Sequence, residues 1–119
     1  MWGAKRRNIV LFTHTDYDGK IVVTIEGNLD EESSPGLREY MTPLIDGGSK
    51  YFVLDMSKVF YAASCGLGVL CELRDRLEDV DGWIRFANAS EDLIEVFRFV
   101  MLDELFPSFD NIAEALHEA

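Results

Sequence analysis

The hydroxyl of Ser64 and the thiol of Cys65 stand side by side where a β-rich run, Val59-Phe60-Tyr61, passes through Ala62-Ala63 into a helix-forming segment. A helix start leaves backbone N–H groups unpaired and carries the positive end of the helix dipole, so it suits a Ser cap or a phosphate. As a cap, Ser64 would contribute about 1 kcal/mol relative to Ala. Gly66 and Gly68 in the same first turn are poor helix formers that permit close approach of another backbone. The junction reads as built for contact rather than for helix stability. A thiol in the first turn has its thiolate stabilised by the dipole, so Cys65 is either a redox-sensitive group or a small filler the size of Ser.

Little else in the chain is suited to catalysis. An enzyme needs a nucleophile with a base, a carboxylate pair or metal ligands. His14 lies in a strand run between Thr13 and Thr15, and His117 near the end of a short helix; neither has a catalytic context. Neither a dinucleotide-binding glycine motif, a P-loop nor a zinc-protease motif is present. Gly66-Leu67-Gly68 lacks the Lys and the spacing of a phosphate loop. Cys65 and Cys71 fall six apart on one expected helix, too far for an easy intrahelical disulfide and without metal-ligand spacing. The expectation is a binding protein with free thiols, no cofactor and no metal.

The net charge of −11 works against nucleic acid as a partner, since such binding draws on Lys and Arg against phosphate. The one basic cluster, Lys5-Arg6-Arg7, reads as a solvated tail over residues 1–7. No apolar run approaches the roughly 20 residues of a membrane span, and the start lacks the apolar segment of a signal peptide. The cytoplasm is the expected location. With 119 residues and 48% hydrophobic content, one domain over residues 8–119 is expected.

The elements that must position Ser64 are legible from periodicity and punctuation. Asn8 to Thr15 and Lys20 to Glu26 read as strands joined by Asp16-Tyr17-Asp18-Gly19, whose Asp-Gly ending signals a hairpin. A helix follows, with Ser33 or Ser34 as cap, Pro35 in the first turn and Leu37, Tyr40, Met41 and Leu44 on one face, ending at Gly47-Gly48. Tyr51 to Met56 is a short buried strand. The helix from Ser64 to Val80 aligns Leu70, Leu73, Leu77 and Val80 before Asp81-Gly82, and Trp83 to Asn88 is another strand. From Glu91 a helix with acidic first-turn residues runs on through Leu105 and is apolar on more than one face, which fits burial on several sides or a dimer or partner surface. Asn111 to Ala119 closes the chain as a short helix with Ile112, Ala115 and Leu116 inward. Strands interleaved with helices after a hairpin imply an α/β domain with a mixed sheet and right-handed crossovers.

Val53-Leu54-Asp55-Met56-Ser57 leading to Ala63-Ser64-Cys65-Gly66-Leu67-Gly68 resembles the signature of the STAS family, the anti-sigma factor antagonists, in which a V-L-D-L-S strand leads into a D-S-S-G-L-G helix start. The resemblance extends to Gly27-Asn28-Leu29-Asp30, similar to the family's G-x-L-D, and to Leu105-Phe106-Pro107-Ser108-Phe109 before the last helix. It implies a sheet of four or five strands with helices mostly on one face and the Ser64 helix start exposed at an edge. It further implies that Ser64 is phosphorylated by a serine protein kinase that is itself the anti-sigma factor, and that free Ser64 marks the binding form. A PP2C-type phosphatase would then be a further partner; a second copy of the chain is a partner on a separate ground, the apolar helix over residues 93–106, which could serve self-association. Asp30 and the segment Ala63, Ser64, Cys65, Gly66, Leu67 and Gly68 would form the partner-binding face; by its residue type alone Asp30 is equally a turn or cap residue. This chain departs from the pattern at Ala63, where the family has Asp, and at Cys65, where it has a second Ser. The resemblance also covers unphosphorylated adaptors in transporter, lipid-transport or sensor complexes.

Overall fold

The computed structural model describes residues 9–117; the basic tail over residues 1–7 and the last two positions of the expected terminal helix lie outside the described residues. Five strands and four helices follow one another as β1 (Leu11–Tyr17), β2 (Lys20–Glu26), α1 (Ser34–Asp46), β3 (Tyr51–Lys58), α2 (Ser64–Glu78), β4 (Trp83–Ala87), α3 (Glu91–Phe99), β5 (Ser108–Phe109) and α4 (Ile112–His117). The sheet order is β1-β2-β3-β4-β5. β1 pairs antiparallel with β2, and every later pairing is parallel. This is the expected mixed α/β sheet.

Alternation along the strands sorts two cores. Ile21, Val23, Ile25, Phe52, Leu54, Met56, Ile84 and Phe86 face Leu37 and Met41 of α1, Leu70, Leu73 and Leu77 of α2, and Leu93 and Phe97 of α3. Phe86, Phe97 and Phe106 form a ring cluster with centroids 5.1 to 5.8 Å apart, the offset and edge-on spacing that aromatic quadrupoles favour. On the opposite face Val22, Val53 and Ala87 pack on Ala115 of α4, so one short helix covers what three longer ones leave bare. Two cations hold that helix by its C-terminal carbonyls: Arg85 Nη1 donates to Ala115 O at 2.9 Å and Lys20 Nζ to Leu116 O at 2.6 Å. Cations are favoured at this end of a helix. The Arg85 guanidinium also lies 3.7 Å from the Trp83 ring centroid.

Several boundaries differ from the expected ones, each for a local reason. Asp16 and Tyr17 belong to β1, and the turn shrinks to Asp18 and Gly19 with φ of 57° and 93°. Two successive left-handed residues make the tight loop whose twist matches the strands. α2 stops at Glu78 rather than Val80, because Asp81 turns left-handed at φ 60° and Gly82 N donates back to Leu77 O at 2.7 Å. Val80 is consequently exposed rather than part of the buried stripe. α3 ends at Phe99, well short of Leu105: Met101 adopts φ 63° and Leu102 N closes on Phe97 O at 2.8 Å. The apolar run is thereby divided, with Leu93, Phe97 and Phe106 buried and Phe99 and Met101 in solvent. β5 is only two residues long and carried no periodic signal.

Leu73→Ala should lower stability by about 2–5 kcal/mol, as expected for a large buried side chain lost from a close-packed core. Val80→Ala should stay within about 0.5 kcal/mol. Urea denaturation of the two variants beside the parent reads the difference, and a comparable loss at Val80 would place it back in the core.

Candidate functional site

The loops that follow β2 and β3 leave the same end of the sheet because these strands are parallel neighbours. A bridge between Leu29 and Ala62 extends the pairing past the strands proper: Leu29 N donates to Tyr61 O at 3.0 Å and Ala63 N to Leu29 O at 2.7 Å. Asn28 adds a side-chain clamp, its Oδ1 accepting from Phe60 N at 2.9 Å and Tyr61 N at 3.1 Å. Gly27 makes the corner at φ 132°, where a Cβ would lie 2.9 Å from Val10 Cγ2. The Gly27-Asn28-Leu29-Asp30 and Phe60-Tyr61-Ala62-Ala63 segments are thus one unit.

Asp30 orders the entry to α1. Its Oδ1 accepts from Glu32 N at 2.9 Å and from Ser33 N at 3.0 Å, and its carbonyl accepts from Ser34 Oγ at 2.6 Å. Ser33 Oγ in turn donates to Asn28 O at 2.6 Å. Ser33 is the N-cap residue of α1 by position, yet its hydroxyl serves this loop and caps no helical N–H. The turn role weighed for Asp30 is therefore present, at the base of the loop beside α2.

Ser64 is not the N-cap of α2. Ala63, extended at φ −76° and ψ 167°, occupies that position and has no side-chain acceptor, so Ser64 is the first helical residue and the first turn lacks a side-chain cap. The reason is the Ala63 N–H bond to Leu29 O, which holds Ala63 in line with the β-bridge and starts the helix one residue later. Ser64 is exposed, whereas Cys65 is half-buried with Sγ 3.6 Å from Ser34 Oγ. Of the two side chains, the hydroxyl is the one presented to solvent. Gly66 is buried: a Cβ there would stand 2.9 Å from Leu29 Cβ and 3.2 Å from Ser34 Oγ. The close backbone approach it permits is made inside the molecule. At Gly68, by contrast, a Cβ would meet nothing within 4 Å, and Leu67 beside it is half-buried.

Two residues beside Ser64 escaped the sequence reading. Phe60 and Tyr61 are 74% and 56% exposed, though their backbone is pinned by Asn28. A doublet of aromatics directly before the small residues was the available signal; periodicity did not tell that both point outward. Behind the site, Arg38 of α1 grips Glu72 of α2 with two bonds of 2.8 and 3.0 Å. That pair holds the Glu72 carboxyl below and the Arg38 guanidinium above their ordinary pKa values, but at this exposure it adds little stability. Burial pushes the Cys71 thiol up, with Asp75 adding to the shift. Among the described residues no group of three or more His, Cys, Asp or Glu side chains could hold a metal ion, and no helix is long and apolar enough to cross a membrane.

Asn28→Ala should loosen the Phe60-Tyr61 loop, with a stability loss of roughly 0.5–1.5 kcal/mol and faster amide exchange at both residues. Asn28→Asp, which keeps an acceptor, should restore most of the protection. Unchanged exchange in the alanine variant would show that the clamp does not hold the loop. At neutral pH, Cys71 should alkylate more slowly than a free model thiol, because its raised pKa leaves less thiolate. Peptide-resolved iodoacetamide kinetics read Cys71 and Cys65 together, and a redox role for Cys65 requires it to react faster than the model thiol.

Residues 12–115 match the family model of the STAS domain. The anti-sigma-B factor antagonist of Bacillus subtilis (strain 168) is 32% identical over 88 residues, covering 74% of this chain and 80% of that protein. Among solved structures, an anti-sigma factor antagonist from Mycobacterium paratuberculosis superposes with a TM-score of 0.82 at 23% identity, covering 95% of this chain and 96% of the other. The unphosphorylated form of the anti-sigma factor antagonist SpoIIAA superposes with a TM-score of 0.76 at 21% identity, covering 89% and 93%. With its parallel strands, joined loops, Ser-led helix and all of the hairpin but Leu11 inside the matched span, the chain belongs to the STAS domain family.

Proposed function

We propose that this protein is an anti-sigma factor antagonist, a non-enzymatic binding protein of the cytoplasm. Unmodified, it binds a serine-kinase anti-sigma factor through the mouth of α2, and phosphorylation of Ser64 releases that partner. The observation that carries the reading is the exposed Ser64 hydroxyl at the first position of α2. The Bacillus subtilis relative that acts as an anti-sigma-B factor antagonist, and SpoIIAA, known in unphosphorylated form, support the same assignment.

The physical consequences of phosphate at this position follow from the geometry. The first turn has no side-chain cap, so its N–H groups and the helix dipole favour an anion on Ser64. The modification therefore need not disturb the fold. It would add about −1.5 to −2 charges to a surface that already carries exposed Glu31 and Glu32 on the adjoining loop. A partner docked there would meet added negative charge and a group that must be desolvated, and both effects oppose binding. Ala63 removes the acidic neighbour that the family usually places before the acceptor, so docking of the kinase relies on the rest of the face: Asp30, Phe60, Tyr61, Leu67 and Gly68. The half-buried Cys65 leaves Ser64 as the accessible group of the pair.

Protein isolated from its native cells should carry one phosphate, mapped by mass spectrometry to Ser64 and lost in Ser64→Ala. Ser64→Glu should weaken capture of the kinase by about tenfold or more, equivalent to about 1.4 kcal/mol, without lowering the melting temperature. An unmodified Ser64 in the presence of the active kinase would end the phosphoswitch reading and leave a constitutive adaptor.

A further inference from the structure

The two ends of the sheet are finished differently. On one side β5 is two residues long; on the other β1 runs seven residues and, among the described residues, pairs only with β2. Natural sheets blunt such an edge with Lys, Pro, a bulge or brevity. β1, Leu-Phe-Thr-His-Thr-Asp-Tyr, contains neither Lys nor Pro and keeps unbroken register with β2 from Leu11 to Tyr17. Leu11 and Tyr17, at its two ends, are 56% and 49% exposed.

We propose that the free edge of β1 pairs with β1 of a second copy of this chain, antiparallel about a two-fold axis at His14, to give a continuous ten-stranded sheet. The hairpin determines which backbone groups are available. Its two-residue turn makes Tyr17 and Lys20 the hydrogen-bonded closing pair, so alternate residues Tyr17, Thr15, Thr13 and Leu11 bond to β2. The N–H and C=O groups of Phe12, His14 and Asp16 then point to the open edge. A symmetric antiparallel partner must set these three against the same three, and the register that uses the whole strand places Phe12 opposite Asp16 and His14 opposite His14.

That register is self-complementary in its side chains as well. On the face away from α1 it sets Leu11 against the partner's Tyr17, so the exposed apolar residues at the two ends of the strand cover each other. Thr13 meets Thr15, one of the pairings that stabilise antiparallel strands. The interface is small, so the dimer is expected to be weak and concentration-dependent.

Sedimentation equilibrium of the full chain from about 10 µM to about 1 mM tests this, with the mass expected to rise from 13.5 kDa toward twice that value. Thr13→Lys with Thr15→Lys puts like charges opposite each other in both Thr pairs and should leave a folded monomer throughout, checked by circular dichroism. Thr13→Lys with Thr15→Glu puts opposite charges in the same two positions and should restore the dimer. Phe99→Asp, on the other exposed apolar patch, should leave it unchanged. A parent that stays monomeric, a double-Lys variant that associates like the parent, a Lys/Glu variant that stays monomeric, or a Phe99→Asp variant that dissociates would each overturn the proposal.

Discussion

Parallel pairing of β2 with β3 is the constraint from which the site follows. Parallel neighbours send both chains out at the same end, and their ladder continues as the Leu29–Ala62 bridge beyond the regular strands. Once Ala63 N is bonded to Leu29 O, the first helical position of α2 cannot move independently of the loop that carries Asp30. Gly66 extends this coupling into the helix, since only the absence of a side chain lets α2 lie against Leu29 and Ser34. A surface built from two loops and a helix end is in this way held by backbone bonds, which lowers the ordering cost of meeting a partner.

The two sides of the sheet divide the work. α1, α2 and α3 cover one face with large aliphatic and aromatic side chains, and that packing sets the axis of α2 and hence the direction of Ser64. The other face is closed by six residues of α4, with Arg85 and Lys20 bonded to its final carbonyls.

Much of this architecture was legible in residue order. Asp18-Gly19, Pro35, Gly47-Gly48 and Asp81-Gly82 punctuate the chain, and the apolar spacing of α1 and α2 points to the faces that are buried. Where the helices fell short of their expected ends, a left-handed residue intervened: Asp81 after α2 and Met101 after α3. Non-glycine residues in that conformation carry no dependable sequence mark, so the helices read longer than they are. The stripe from Leu93 to Leu105 looked continuous because hydrophobicity does not register a chain reversal. The closing turn at Phe97–Leu102 splits it between core and solvent.

Residue order alone carries the order of the elements other than β5, the hairpin, the family motif and the presence of a hydroxyl at the mouth of α2, because these depend on local conformational preference and on spacing within one segment. Only the closed fold sets Ala63 rather than Ser64 as the cap of the helix, turns Cys65 toward Ser34 and lets Asn28 clamp Phe60 and Tyr61 outward. Each of these joins residues roughly thirty positions apart or depends on such a join, through the pairing of β2 with β3. Hydrogen bonds across that distance exist only once the parallel ladder is closed, and no local pattern encodes their geometry.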